Sequence, residues 1–153
     1  MKAASKLTEN EGRYIMFVYR KQHEELTQVK TTLLANAFGV RPATVTEMLQ
    51  KLAYKGLLKY TRYHGIELTR EGAAEARRLL RNHRLLEVLL ARALNYDVQN
   101  ACDRASELDV YVSDKLTDSI CKNYGYPRIC PCNKKIFLEE ECMGGSRERE
   151  DGR

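Results

Sequence analysis

The stretch TTLLANAFGVRPATVTEMLQKLAYKGLLKYTRYHGIEL, residues 31–68, decides the fold of this 153-residue chain. Thr31 or Thr32 can cap a short helix over Leu33 to Phe38. Gly39 ends it, because a helix-terminal residue in the left-handed region is cheapest for glycine. Pro42 follows where a first-turn proline is tolerated, and ATVTEMLQKLAYK reads as a longer helix burying Val45, Met48, Leu49 and Leu52. Gly56 stops that helix. From Leu57 the helical period gives way to alternation, His64-Gly65 supplies a turn, and Ile66-Glu67-Leu68 completes a β-hairpin. Helix, short turn, helix and hairpin is the order of a winged helix-turn-helix, whose second helix enters the DNA major groove while the hairpin lies along the backbone or minor groove.

Upstream, Tyr14, Ile15, Phe17 and Val18 recur at helical spacing, predicting a helix over Asn10 to Gln22 that the charged run Lys21 to Glu25 closes. Downstream, Thr69 caps a long helix with Glu71 and Gly72 in its first turn. Its leucines, Leu79, Leu80, Leu85, Leu86, Leu89 and Leu90, carry it to about Leu94. A further helix fits Val98 to Val112, and Ser113-Asp114 opens one more through Ile120 or Asn123. After Gly125-Tyr126-Pro127 the pattern fails and a cysteine-containing loop follows. The final GGSREREDGR has no apolar residue and is expected to be disordered. The expected fold is mainly α: a winged helix-turn-helix DNA-binding domain over 1–70, an α-helical dimerisation and metal- or cluster-binding domain over 71–142, and a tail over 143–153. The leucines of the two long helices exceed what one small domain buries, which predicts a hydrophobic two-fold interface and a homodimer.

Charge follows the same division. Residues 1–70 hold 12 Lys and Arg against 6 Asp and Glu, whereas 71–153 hold 14 against 15, so the basic half coincides with the helix-turn-helix and favours a polyanion. At the start of the second motif helix, Arg41, Ala43, Thr44, Thr46 and Glu47 would face double-stranded DNA, with Gln50 one turn on. Arg41 suits guanine edges or phosphate, the Thr44 and Thr46 hydroxyls suit phosphates, and Ala43 suits a thymine methyl. Lys59, Arg62 and His64 in the hairpin supply sequence-independent attraction. No stretch approaches the roughly 20 apolar residues of a membrane span, and MKAASKLTENEGR lacks a signal peptide's apolar core, so a soluble cytoplasmic protein without a membrane partner is expected.

GVRPATVTEMLQKLAYKGLLKYTRYHGIELTREGAAEARRLLRNHRLLEVLL resembles the diphtheria-toxin-repressor (DtxR/MntR) family of metal-dependent transcriptional repressors, from about Leu7 to Pro131. The most specific parts are Ala43 to Leu49, Gly56-Leu57, Gly65 to Thr69 and Asn82 to Glu87. The resemblance implies a winged-helix domain, a helical dimerisation domain, and a homodimer that binds a palindromic operator when its metal site is filled. It also implies the short form, without the third SH3-like domain of some members.

His83 and Glu87 stand four apart on one helix and so share a face on which both can ligate one cation. They match the family's ancillary metal site, where Cys102 takes the position of its third ligand. At the family's primary site the matching positions are Ser106, Asp109, Val110 and Arg13; valine cannot ligate and arginine repels a cation, so loss of that Fe(II) or Mn(II) site is expected. Where the family often has Cys-Pro-His-Gly, this chain has Cys130-Pro131-Cys132-Asn133, with Cys121 before it and Cys142 after. Five cysteines without a secretory signal point to metal or redox chemistry. Converging thiolates favour Zn(II), Cu(I) or an iron-sulfur cluster.

The candidate ligands are therefore Cys102, Cys121, Cys130, Cys132 and Cys142 with His83 and Glu87. The expected cofactor is an iron-sulfur cluster reporting iron or redox status; the alternatives are structural zinc, Fe(II), or a metal-free thiol switch. No enzyme is expected, since Cys102 with His83 is the one nucleophile–base pairing on offer and nothing adjacent orients it.

Overall fold

The computed structural model describes residues 6–63 and 65–138. His64, Cys142 and the tail over 143–153 lie outside the described residues. Six helices and one hairpin follow in the order α1 (Glu9–Tyr19), α2 (Thr31–Phe38), α3 (Pro42–Tyr54), β1 (Leu58–Thr61), β2 (Gly65–Leu68), α4 (Arg70–Leu94), α5 (Val98–Leu108) and α6 (Asp114–Asn123).

Helix α1 starts at a capping box: the Glu11 amide donates to Thr8 Oγ1 at 3.3 Å, and the Thr8 amide donates to Glu11 Oε2 at 3.0 Å. In place of the expected end at Gln22, the chain widens after Tyr19 into a π-helical turn, Arg20–Glu24. Helix α2 begins at Thr31 with Lys30 as its cap and no capping side chain. Both threonines are thus inside the helix, which correction follows from Val29: fully buried just upstream, it sets where the chain turns in. Gly39 ends α2 at φ +62°, and α3 starts at Pro42 as the sequence predicts. Val45, Leu49 and Leu52 are buried, while Met48 is only half-buried at the edge of that face.

The hairpin pairs Leu58 with Leu68 and Thr61 with Gly65 in antiparallel register. Helix α4 springs directly from it. The Thr69 hydroxyl donates to the Gly56 carbonyl at 2.7 Å and accepts from the Gly72 amide at 3.0 Å, and the Thr69 amide donates to the Leu57 carbonyl at 3.1 Å. Helix α5 stops four residues short of the expected Val112, because 109–112 bend back toward α1: Asp109 bonds to His83, and Val110 lies against Gly12. Ser113 caps α6 as expected, accepting from the Leu116 amide at 3.2 Å.

Two apolar clusters share α4 as a common shaft. The first joins α1, α2, α3 and the hairpin to Ala76, Leu79 and Leu80; the second joins Leu85, Leu86, Val88 and Leu90 to Ala101 and Ala105 of α5, Ile120 and Cys121 of α6, and Cys130 and Ile136 of the following loop. Between them α4 buries a polar band, Arg81 to Arg84 and Glu87. The leucines expected as a surplus for an interface are therefore largely consumed within one chain. In this half, apolar side chains left in water among the described residues include Leu94 (56% exposed), Tyr96 and Val98 (50%) around the α4–α5 turn, with Leu108 and Leu116.

Candidate metal centre and nucleic-acid face

Side chains of α4 and α5 converge on His83, which sits in the buried polar band of α4. Its Nδ1 lies 3.0 Å from Asp109 Oδ2, its Nε2 lies 2.7 Å from Glu87 Oε1, and Cys102 Sγ of α5 is 3.5 Å from Nε2. Ligand atoms of His83, Glu87 and Cys102 all lie within 4.8 Å of one another. With Asp109 holding Nδ1, Nε2 is aimed at Glu87 and Cys102, which is how an outer carboxylate fixes a metal-binding imidazole.

One feature of this group fits a cation. Glu87 Oε2 and Asp109 Oδ1 are buried without a hydrogen-bond partner, a costly condition that a positive ion beside Glu87 relieves. The same surroundings favour a proton on the imidazole, which an incoming metal ion has to displace. Burial pushes the His83 pKa down, but hydrogen bonds with Asp109, Cys102 and Glu87 outweigh it and raise it to about 10. Burial likewise works to raise Glu87, yet the His83 hydrogen bond and charge hold it below the usual carboxylate range.

The loop after α6 closes the other side. Ile129 bridges to Lys135, the Cys130 amide donates to the Lys134 carbonyl at 2.9 Å, and the Asn133 amide donates back to the Cys130 carbonyl at 2.8 Å. This tight turn sets Cys130 and Cys132 where the Glu87 charge acts on both thiols. Burial, then the neighbouring Glu87 charge, pushes both thiols up, Cys132 to about 12. The loop is anchored by Arg84, which donates to the Lys135 carbonyl at 2.7 Å and to Glu24 Oε1 at 2.5 Å, and by Phe137, edge-on to Tyr19 of α1.

The sequence-predicted sulfur set is thus brought together only in part. Cys102 meets His83 and Glu87, whereas Cys130 and Cys132 stay outside that grouping of ligand atoms. Cys121 packs in the second apolar cluster, as Cys130 does, and lines a cleft with Arg81, Lys122 and Ile136; the metal-compatible grouping among the described residues includes none of Cys121, Cys130 and Cys132. There it behaves as a small hydrophobe.

Arg13, Ser106, Asp109 and Val110 form no ligand set. The Arg13 guanidinium donates to Glu9 Oε1 at 2.6 Å and to the Ser106 carbonyl at 2.7 Å, Asp109 is turned to His83, and Val110 packs on Gly12. A salt-bridged cation from the chain itself joins α1 to α5 at this place.

In the N-terminal part, Arg41, Ala43, Thr44, Glu47 and Gln50 are exposed along the start and first turns of α3. Thr46 is half-buried, and its hydroxyl donates to the Pro42 carbonyl at 3.1 Å, so that proton is not available to a phosphate. Lys59 and Arg62 are exposed on the hairpin, while His64 lies outside the described residues.

Three features escaped the sequence reading. Tyr63 is 88% exposed at the hairpin tip beside the Arg62 guanidinium, and Tyr54 is almost fully exposed at the end of α3. Glu11 is fully buried and receives Lys55 at 2.7 Å and Lys51 at 3.2 Å, tying α1 to the C-terminal part of α3. Burial works to raise its pKa, but Lys55, the Thr8 amide and Lys51 hold it below the usual range. The Thr8-x-x-Glu11 capping box was readable in the sequence; its lysine partners were not.

Comparison with known proteins agrees with both regions. Residues 6–66 match the family described as iron dependent repressor, N-terminal DNA binding domain, and residues 69–138 match iron dependent repressor, metal binding and dimerisation domain. An uncharacterized HTH-type transcriptional regulator of Methanocaldococcus jannaschii is 32% identical over 83% of this chain and 90% of its own length. The HTH-type transcriptional regulator MntR of Bacillus subtilis is 32% identical over 63% of this chain and 68% of its own. Among solved structures, a manganese-dependent transcriptional repressor in complex with manganese superposes with a TM-score of 0.79 at 31% identity, over 85% of this chain and 59% of that one. The manganese regulator SloR does so with a TM-score of 0.75 at 30% identity, and this chain spans 61% of its length.

Proposed function

From the premise that this chain belongs to the iron-dependent repressor (DtxR/MntR) family, we propose that it is a homodimeric transcriptional regulator that binds a palindromic operator in response to a metal ion held by His83, Glu87 and Cys102. In this reading 1–70 binds DNA and 71–142 dimerises and holds the ion. The observation that carries it is the convergence of three ligand atoms within 4.8 Å beside a buried carboxylate oxygen that lacks a partner. A bound ion supplies a fixed positive charge that draws carboxylate, imidazole and sulfur together at the junction of the two apolar clusters.

A single ion accounts for the group better than the iron-sulfur cluster expected from the cysteine count. An imidazole and a carboxylate occupy the positions nearest one another, and Cys121 is turned away, whereas cubane and ferredoxin-type clusters are held by four cysteine thiolates. The metal-free thiol switch also lacks support, because a reactive thiol needs a lowered pKa and those of Cys130 and Cys132 are raised. No helix among the described residues is long and apolar enough to cross a membrane.

The test is binding of metal-stripped and metal-loaded full chain to a palindromic duplex recovered by selection from random sequence. The proposal expects tight binding with metal and at least about 10-fold weaker binding without it, within the usual range of coupling between sites. Equal affinity in both states argues against it.

The recognition helix carries its own prediction. Arg41→Ala with Thr44→Ala is expected to weaken operator binding by about 10- to 100-fold, as the loss of a base-edge contact and a phosphate contact should. Lys59→Ala or Arg62→Ala is expected to weaken binding to all sequences alike and to flatten its salt dependence by about one phosphate contact. Fluorescence anisotropy across a salt series measures both effects.

Dimerisation is assigned to the exposed apolar residues around the α4–α5 turn. Leu94→Asp with Val98→Asp is expected to convert a dimer to a monomer at micromolar concentration in sedimentation, since charge placed in a hydrophobic interface is left desolvated. A dimer that survives both changes moves the interface elsewhere.

A further inference from the structure

We propose that Tyr63, at the tip of the hairpin, is a DNA-contacting residue whose ring packs into the minor groove beside each operator half-site and adds affinity that salt does not weaken. The inference rests on the reading that 1–70 binds DNA, and it adds a contact of a different kind from the charges of Lys59 and Arg62.

The pairing of Thr61 with Gly65 closes the hairpin around a three-residue tip, 62–64, of which Tyr63 is the middle residue. Gly65 takes φ +90°, a conformation open to glycine that lets the chain reverse in so few residues. The first apolar cluster reaches into the hairpin through Leu58, Tyr60, Ile66 and Leu68, and the tip lies beyond it. Tyr63 is accordingly 88% exposed, and its ring has the Arg62 guanidinium 6.0 Å from the centroid, the outer limit of a cation–π contact. Almost none of its apolar surface is covered within the chain.

The surroundings of the ring point to what covers it. Lys59, Thr61 and Arg62 are polar and exposed, so the tip offers no contiguous apolar patch of the size a protein partner needs. A cleft of about 330 Å³ separates the tip from the start of α2, with Lys30, Thr31 and Thr32 on one wall and Tyr60, Arg62 and Tyr63 on the other. Lys30 and Arg62 give both walls positive charge and the threonines add hydroxyls, the donors that hold a sugar-phosphate strand. With a strand held there, the neighbouring ring meets deoxyribose and the walls of the minor groove, surfaces against which apolar and aromatic side chains pack.

The test measures binding of metal-loaded full-length protein to the palindromic duplex recovered by selection, by fluorescence anisotropy across a salt series. Tyr63→Ala is expected to weaken binding at least about 5-fold at every salt concentration and to leave the slope of log affinity against log salt unchanged, since an uncharged ring releases no counterion. Arg62→Ala, by contrast, is expected to flatten that slope by about 0.9, the mark of one phosphate contact. Tyr63→Phe keeps the ring and is expected to bind within about 2-fold of wild type. A second pair of duplexes carries either G·C or inosine·C pairs beside each half-site. Inosine lacks the amino group that guanine places in the minor groove and leaves the major groove unaltered. Wild type is expected to prefer the inosine duplex at least about 2-fold, and Tyr63→Ala to bind both alike. Because Tyr63 lies outside the core, neither substitution is expected to move the thermal midpoint read by circular dichroism.

Wild-type affinity in Tyr63→Ala, with Arg41→Ala plus Thr44→Ala still weakening binding, overturns the role of Tyr63 and leaves the DNA-binding reading intact. A loss in Tyr63→Phe as large as in Tyr63→Ala places the contact on the hydroxyl and overturns groove packing, as does an inosine preference that persists in Tyr63→Ala. A chain that binds no duplex fails both readings.

Discussion

Glu87→Gln is expected to lower the affinity of the chain for its metal ion by at least about 100-fold, and His83→Ala to abolish binding at micromolar ion, because each removes a ligand from a centre of few donors. The glutamine keeps the shape of Glu87 and its hydrogen-bonding oxygen but removes the charge, so it separates electrostatics from packing. Operator binding by both variants is expected to become indifferent to metal, since the group at the junction of the two clusters then has no ion to hold. Asp109→Asn acts one step removed. It lies behind the ring and touches only Nδ1 at 3.0 Å, so a loss of about 10- to 100-fold is expected from misorientation of the imidazole. Competition titrations check all three variants, and wild-type affinity in Glu87→Gln would remove the carboxylate from the ligand set.

Gly72→Ala is expected to destabilise the chain by more than about 3 kcal/mol, a large effect for one methyl group. The cause is steric. A Cβ on Gly72 would stand 1.7 Å from the Leu57 carbonyl oxygen and 2.7 Å from its carbon, both backbone atoms that cannot rotate away. To admit the methyl, the first turn of α4 must move off the hairpin, breaking the bonds from Thr69 to the Leu57 and Gly56 carbonyls. The wing and the long helix are joined at this point, so operator affinity is expected to fall along with the thermal midpoint. Chemical denaturation followed by helical circular dichroism measures the change. A shift under about 1 kcal/mol would mean that the hairpin yields without cost.

Much of the α3 and hairpin reading needed only local rules. The positive φ of Gly39 and the first-turn Pro42 bound the helix turn as expected, and Thr69 and Ser113 cap the helices they were expected to cap. Where the reading failed, a distant contact had overruled a local preference. Lys30 rather than a threonine precedes α2 because Val29 is buried, and α5 ends at Leu108 because Asp109 and Val110 are drawn to His83 and Gly12. The leucines of α4 looked like material for an interface because a sequence shows how many apolar residues exist and not how many neighbours they have. Once α1, α5, α6 and the last loop pack around the shaft, few of those leucines remain in water.

The candidate centre divides the same way. His83 and Glu87 were legible because a spacing of four on one helix places two side chains on one face whatever surrounds them. Periodicity and caps are properties of a few consecutive residues, so helices, hairpin, recognition face and the basic half could all be taken from the sequence alone. Which thiols join the pair was decided only by tertiary packing. Cys102 and Cys121 are equally cysteine in the sequence, but α5 turns the first to His83 while α6 turns the second into an apolar cluster that also takes in Cys130. Likewise the orientation of His83 by Asp109, the hydrogen bond of Arg13 to the Ser106 carbonyl and the lysines on buried Glu11 join residues 26 or more positions apart. Such meetings depend on how side-chain volumes from separate elements fill one interior, and no local pattern encodes that sum.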